Sequence, residues 1–198
     1  SGTLNHTAAN ITATVDAGSV AASDLNTIDS NSTPNVVATA ATTITGNHAD
    51  ITTAVSSGSI TQASNVALTA ADTMTSDELA SMDALTTGII TANIEDVAMT
   101  DLAAIADANS NNALTITVTD TSVAAAALNT LDGLTSVNVT ATAATAMTGT
   151  AAAIATALSS TTIDHNATNI TATVDAGSVA ASDLNTIDSN STPNVVAT

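Results

Sequence analysis

One acidic residue recurs near the start of the predicted helix in most repeats of this chain. These residues are Asp24, Asp50, Glu78, Asp101 and Asp183. Parallel neighbouring segments stack about 4.8 Å apart, so carboxylates in equivalent positions repel one another unless a cation or water lies between them. Carboxylate oxygens are preferred ligands of Ca²⁺ and Mg²⁺, and the five acids are therefore candidates for divalent-cation bridging. The alternative is that each acid interacts with the positive end of a helix dipole, an effect worth about 0.3–1 kcal/mol.

The other residue types that commonly take part in catalysis do not form a catalytic motif in this sequence. The three histidines are His6, His48 and His165, and the first and last of them occupy the same position of a repeated sequence. The chain has no cysteine and no His-Glu-x-x-His motif, and it has no lysine or arginine to bind a substrate anion. We therefore expect a protein that is not an enzyme.

The charge balance limits the partners of this chain. Its 198 residues carry 18 acids and no Lys or Arg, for a formal net charge of −18. Such a chain lacks the basic surface that binds nucleic acid or anionic membranes, whereas cations remain suitable partners. No run of about 18 apolar residues is present, so no membrane span is expected. Dissolved salt screens the repulsion between the carboxylates of this chain. The composition therefore indicates a protein that works in a saline extracellular setting.

The elements that would position the acids follow from a repeated sequence. Asn10 to Thr39 is identical to Asn169 to Thr198, an offset of 159 residues. Within this super-repeat, six weaker units of about 26 residues begin near Asn10, Asn35, Asn65, Thr87, Ala113 and Asn138. A period of this length is typical of stacked repeats. We therefore expect residues 1–198 to be a single uncapped segment in which 160–198 repeat 1–39.

Each unit combines two periodicities. Its first stretch alternates apolar and polar residues, as in Leu114, Ile116 and Val118, which predicts a strand. A later stretch places apolar residues at i and i+3, as in Leu25 and Ile28, which predicts a helix of two turns. The pattern predicts a right-handed α/β-solenoid with one parallel β-sheet face, short helices and about 26 residues per coil. Between these two stretches, one apolar position, as at Val20 and Ile44, predicts a second, very short strand. The alternative is an all-β solenoid in which the Leu-x-x-Ile stretch is a third strand.

The stretch AASDLNTIDSNSTPNVVATAATTITGNHADI resembles the repeats of giant secreted surface proteins of marine cyanobacteria, some of which are associated with non-flagellar swimming. The resemblance implies a secreted, extracellular or cell-surface structural protein. It implies no catalytic residue.

The sequence thus predicts a structural repeat protein that forms a stiff acidic rod or filament body. Its expected partners are further copies of itself, end to end or side by side, or further repeats of the same chain, together with divalent cations. The alternative is an adhesin or ice-binding module that uses threonines of the sheet face, such as Thr117 and Thr142.

Overall fold

A computed structural model of the chain describes residues 11–32, 34–105, 112–166, 169–191 and 195–197. His6 and Asn10, which entered the repeat alignment, lie outside these ranges. Seven α-helices lie within them: α1 (Ala22–Asn31), α2 (His48–Ser56), α3 (Ser76–Asp83), α4 (Met99–Leu102), α5 (Ala125–Leu134), α6 (Ala151–Ser159) and α7 (Ala181–Asn190). A single 3₁₀ turn over Ala103–Ile105 follows α4.

The strands are short, because turns and helices interrupt the chain every few residues. They are β1 (Gly18–Ala21), β2 (Val36–Ala38), β3 (Ala41–Gly46), β4 (Ile60–Gln62), β5 (Ala67–Met74), β6 (Ile90–Ile94), β7 (Ala113–Thr115), β8 (Ser122–Ala124), β9 (Val139–Thr140), β10 (Ala146–Gly149), β11 (Ile163–Asp164), β12 (Thr171–Val174) and β13 (Val195–Ala197). They form several small parallel sheets rather than one.

This arrangement corrects the predicted fold class. The part of the chain that the structure describes is an α/β fold with several small parallel sheets and seven helices, so the right-handed α/β-solenoid with one parallel sheet face is wrong. The strands do not form one sheet face: a turn at Thr39 and Ala40 separates β2 from β3, and these two strands join different sheets. The all-β alternative is also wrong, because Leu25 and Ile28 lie in a helix.

The chain divides into two compact units. The first consists of the chain up to Thr73 together with Ser81–Ala92. In it, β1 pairs with β3 and β3 with β5, while β2 pairs separately with β4. Its core contains the fully buried side chains of Leu25, Ile44 and Ile51. The proposed single-segment organisation stays a prediction.

The second unit consists of Met74–Ala80 and the chain from Asn93 onward. Its largest sheet has the order β13-β12-β10-β8, and β9 pairs with β11. Leu128, Met147 and Ile154 are fully buried there. Because the sequence has no aromatic residue, the cores of both units depend on close packing of aliphatic side chains.

Glycine permits close approach of successive repeats in both units. Gly46 has a φ of 153°, and a Cβ built on it would lie 3.4 Å from the Ala22 Cβ. Gly149 has a φ of 139° and faces Ala125 in the same manner. A side chain at either glycine would adopt a strained backbone conformation in contact with the first residue of the preceding helix.

Candidate functional site

The five predicted acidic residues all lie in the first turn of a helix, within α1, α2, α3, α4 and α7 respectively. Asp24 and Asp101 are exposed, whereas Asp50, Glu78 and Asp183 are half-buried. A carboxylate at this position is favourable whether or not a cation binds, because the first backbone N–H groups of a helix lack partners within the helix.

Asp50 and Glu78 take part in the caps of their own helices. Asn47 Oδ1 accepts the backbone N–H of Asp50 at 2.8 Å, and Asn47 Nδ2 donates to Asp50 Oδ2 at 2.7 Å. Glu78 Oε2 accepts the backbone N–H of Thr75 at 2.8 Å, while Thr75 Oγ1 accepts the N–H of Glu78 at 3.2 Å. These reciprocal hydrogen bonds make Thr75-Ser76-Asp77-Glu78 a capping box.

A second set of carboxylates, which the sequence did not reveal, caps helices from the following repeat. Asp72, Asp96 and Asp120 accept the first backbone N–H of α2, α3 and α4 at distances of 2.8, 2.6 and 2.8 Å. Each acid lies 20 to 24 residues after the residue whose N–H it accepts. These charge-assisted hydrogen bonds fix one repeat on the next as well as capping the helix. The spacing varies between repeats, so no regular column of acids marks the set in the sequence.

The contact between His48 and Asp72 involves both carboxylate oxygens. The backbone N–H of His48 donates to Asp72 Oδ1, and the ring Nδ1 lies 2.9 Å from Asp72 Oδ2. Desolvation acts to raise the pKa of Asp72, but the hydrogen bonds from the His48 backbone and ring outweigh it and hold that pKa below its ordinary value. The contact between the ring and the carboxylate is an ion pair when the histidine is protonated.

An acidic cleft of about 360 Å³ lies in the second unit. It is lined by Thr75, Ser76, Asp77, Asp96, Thr100 and Asp101. The cleft contains one of the five predicted acids, Asp101, and one of the interrepeat caps, Asp96. Its oxygen-rich lining suits a hydrated cation rather than an anion.

The structure does not bring the predicted acids together as a ligand set. Across the ranges that the structure describes, no three His, Asp or Glu side chains lie close enough to hold one metal ion. Asp24, Asp50 and Asp183 lie in different helices and contribute nothing to the acidic cleft. Binding of Ca²⁺ or Mg²⁺ by the five acids stays a prediction.

Polar side chains also connect successive helices, and they do so in the same way in both units. Asn26 Nδ2 donates to the backbone carbonyl of Asp50 at 3.0 Å, and Asn129 Nδ2 donates to that of Ala153 at 2.9 Å. Both pairs are separated by 24 residues. The first joins α1 to α2, and the second joins α5 to α6.

A second polar contact recurs at the end of these helices. Ser57 Oγ donates to Asp29 Oδ2 at 3.1 Å, and Ser160 Oγ donates to Asp132 Oδ2 at 3.3 Å. In both places the serine hydroxyl also lies 2.9 Å from a hydroxyl two residues later. The repeats are thus joined by equivalent side-chain contacts, and not only by strand pairing and apolar packing.

No protein-family model, curated protein or solved structure matches this chain. The resemblance to cyanobacterial surface proteins therefore stays a prediction. No helix within the described ranges is long and apolar enough to cross a membrane.

Proposed function

We propose that this chain is a structural repeat protein of the cell surface or extracellular space, and that it forms the body of a stiff acidic rod or filament. The observation that carries the proposal is the recurrence of equivalent contacts between successive repeats. Asn26 and Asn129 each donate to a backbone carbonyl of the next helix, and Asp29 and Asp132 each accept from the serine that follows that helix. A chain joined in this way gains length by adding repeats that each contact their neighbours.

Three features support a structural role over a catalytic one. Of the contacts between repeats described above, only the contact of Asp96 with Ser76 lies at the acidic cleft. The described residues that line the acidic cleft are threonine, serine and aspartate, without the hydrophobic and aromatic side chains that predominate in small-molecule sites. The sequence offers trypsin no Lys or Arg and offers chymotrypsin no aromatic residue, which suits material exposed to extracellular proteases.

Self-association is the property to measure. Analytical ultracentrifugation and negative-stain electron microscopy measure the size of the assemblies that the chain forms in saline buffer at increasing protein concentration. We expect elongated assemblies whose mean length increases with protein concentration. A monodisperse monomer at every concentration, with no filament on the grid, would contradict a filament body made of this chain.

The proposed location has its own test. An antibody raised against the chain is applied to intact cells of the source organism and to the same cells after permeabilisation. We expect equal labelling of both preparations, because the epitope lies outside the cell. Labelling that requires permeabilisation would argue against the proposed location.

The adhesin or ice-binding alternative depends on a regular threonine surface. In the first unit Thr14 pairs with Val37 and Val37 with Thr61, and in the second Thr117 pairs with Thr140 and Thr140 with Asp164. A valine or an aspartate therefore interrupts each row, which favours the structural role. Ice-recrystallisation inhibition or glycan binding that is lost on Thr117→Leu would support the alternative.

A further inference from the structure

Ser76 lines the acidic cleft and carries a buried hydroxyl with no partner among the residues that the structure describes. The residue is only 1% exposed, and its Oγ makes no hydrogen bond. The neighbouring Thr75 differs, because its hydroxyl donates to Glu78 Oε2 at 3.0 Å and accepts the backbone N–H of Glu78 at 3.2 Å. A buried hydroxyl without a partner is costly, so a ligand of the cleft that bonds this oxygen is favoured.

The rest of the lining consists of negative charge and hydrogen-bond acceptors. Three of the six lining residues are aspartates, namely Asp77, Asp96 and Asp101, and the sequence has no Lys or Arg to neutralise them. The first N–H of α3 is already donated to Asp96 Oδ2 at 2.6 Å, so it is not available to an anion. The cleft therefore attracts a cation.

The arrangement does not suit a cation held directly by carboxylates. Across the described ranges, no three acidic or histidine side chains lie close enough to bind one metal ion, whereas Ca²⁺ in direct coordination takes six to eight oxygen ligands. Mg²⁺ loses its waters reluctantly and usually keeps several of them. Six waters occupy about 180 Å³ at ~30 Å³ each, so a hydrated Mg²⁺ ion fits a cleft of about 360 Å³.

The hydrogen-bonding character of a hydrated cation also matches this lining. Waters bound to a cation direct their oxygen atoms inward and their hydrogen atoms outward, so the hydrated ion presents donors in every direction. A carboxylate has about four acceptor positions, and Asp96 therefore still accepts from such a water while it bonds the Ser76 N–H. Ser76 Oγ can accept as well, which provides the partner that this hydroxyl lacks in the protein.

We infer that the acidic cleft binds one hydrated divalent cation, with three aspartates supplying the charge and Ser76 Oγ accepting a hydrogen bond from a cation-bound water. Ser76 and Asp77 begin α3, whereas Asp96 and Asp101 lie just before and within α4. The bound cation therefore links two successive repeats of the second unit. The inference goes beyond the proposed function, since the site does not require the chain to form filaments.

Titration of the full chain with MgCl₂ tests the site. Amide NMR spectra are recorded at an ionic strength held constant with NaCl, so that general screening does not change. We expect the amide signals of Ser76, Asp77, Asp96 and Asp101 to shift and then saturate, with a Kd on the order of 1 mM, as in weak extracellular cation sites. The amide signal of Asp72, in the first unit, should not respond.

Hexaamminecobalt(III) tests the mode of binding. Its six ammonia ligands do not exchange, so it binds only through the N–H donors on its outside, as a fully hydrated cation binds through its waters. We expect it to shift the same amide signals and to compete with Mg²⁺. The inference is overturned if Mg²⁺ shifts these signals and hexaamminecobalt(III) does not.

Two substitutions of helix-capping acids separate the cleft from the general charge of the chain. Asp96→Asn keeps an oxygen that can accept the Ser76 N–H but removes one charge from the cleft, and it should raise the Kd for Mg²⁺ about 5-fold. Asp72→Asn is the matched control, because Asp72 also caps a helix from the following repeat but does not line the cleft. It should leave the Kd unchanged.

Ser76→Ala tests the hydroxyl. Loss of one hydrogen bond to the hydrated ion should raise the Kd for Mg²⁺ about 3-fold. The substitution also removes a buried group that has no partner in the protein, so the midpoint of urea unfolding in EDTA should not fall. A lower midpoint with unchanged Mg²⁺ binding would show that the hydroxyl serves the fold, and would overturn its place in the site.

The inference is also overturned if the shifts with MgCl₂ do not saturate, or if Asp96→Asn and Asp72→Asn change the Kd equally. Both results indicate diffuse screening and not a site. Circular dichroism confirms that each variant is folded. Saturable binding by a chain that never forms filaments would support the site and contradict the filament, so the two proposals fail separately.

Discussion

Asp120 Oδ2 accepts the backbone N–H of Met99 at 2.8 Å across 21 residues of sequence. Met99 is the first residue of α4, and the residue before it, Ala98, has no side chain that can cap the helix. The carboxylate of the following repeat therefore supplies the cap that the local sequence lacks.

Removing this carboxylate should destabilise the chain. We expect Asp120→Ala to lower the free energy of unfolding by about 1 kcal/mol, because a helix N–H loses its charged partner. Urea denaturation followed by circular dichroism measures the change. Asp16→Ala is the matched control, since it removes the same charge from an exposed position outside any helix. Equal effects of the two substitutions would show that Asp120 contributes charge alone.

The contact between His48 and Asp72 should make stability depend on pH in a defined direction. The folded state lowers the pKa of Asp72 from its ordinary value of 3.8. A lowered carboxylate pKa stabilises the fold above the ordinary value, and this stabilisation is lost as the pH falls through the folded pKa.

We therefore expect Asp72→Asn to be less stable than the parent chain at pH 6 and the difference to shrink below pH 3.8. Thermal unfolding of both proteins from pH 6 to pH 2.5 measures the difference. Comparing the two proteins at each pH removes the general effect of protonating the other acids. A difference that stays constant down to pH 2.5 would show that the ionised carboxylate is not required.

Gly88 should tolerate no side chain. A Cβ at this position would lie against the backbone carbonyl oxygen of Val66 and 2.5 Å from that of Asn65. We expect Gly88→Ala to lower the free energy of unfolding by about 1–3 kcal/mol, since backbone atoms cannot move aside as a side chain can. Gly58→Ala, where no atom lies within 4 Å of the added Cβ, provides the control. Similar melting temperatures for the two variants would contradict this account.

Salt should stabilise a chain that carries 18 negative charges and no Lys or Arg. We expect the melting temperature to rise with NaCl, because screening weakens repulsion between carboxylates. At matched ionic strength we expect CaCl₂ to have a modestly larger effect, and Asp101→Asn to reduce that excess. Asp188 lies outside the acidic cleft, so Asp188→Asn should keep the larger effect of CaCl₂ over NaCl. A melting temperature indifferent to both salts would contradict the electrostatic explanation.

The sequence predicted the helices better than the sheets. The i and i+3 spacing of Leu25 and Ile28 placed a helix correctly, because an amphipathic helix forms its hydrogen bonds locally. A strand needs a partner: residues 18–21 form β1 beside β3, while the identical residues 177–180 form no strand. Identical sequences with different neighbours cannot be distinguished by a local pattern.

The helical positions of the five acids were predictable from the sequence, whereas the caps between repeats were not. The five acids do lie in first helical turns, as predicted from their position near the start of each predicted helix. The caps from Asp72, Asp96 and Asp120 could not be predicted, because they join residues of different repeats at spacings of 24, 20 and 21 residues. Locating them required knowing how one repeat lies on the next.

The hydrogen bond from Asn26 to the Asp50 carbonyl, and its counterpart from Asn129, allow the gene to gain or lose whole repeats. Each bond joins one repeat to the next, so inserting or deleting whole repeats leaves every such bond with a partner. Residues 10–39 and 169–198 have the same amino-acid sequence, and we expect their coding sequences to be sites of unequal recombination. Strains that share this gene should therefore differ in allele length by multiples of the super-repeat while the contacts within it are preserved.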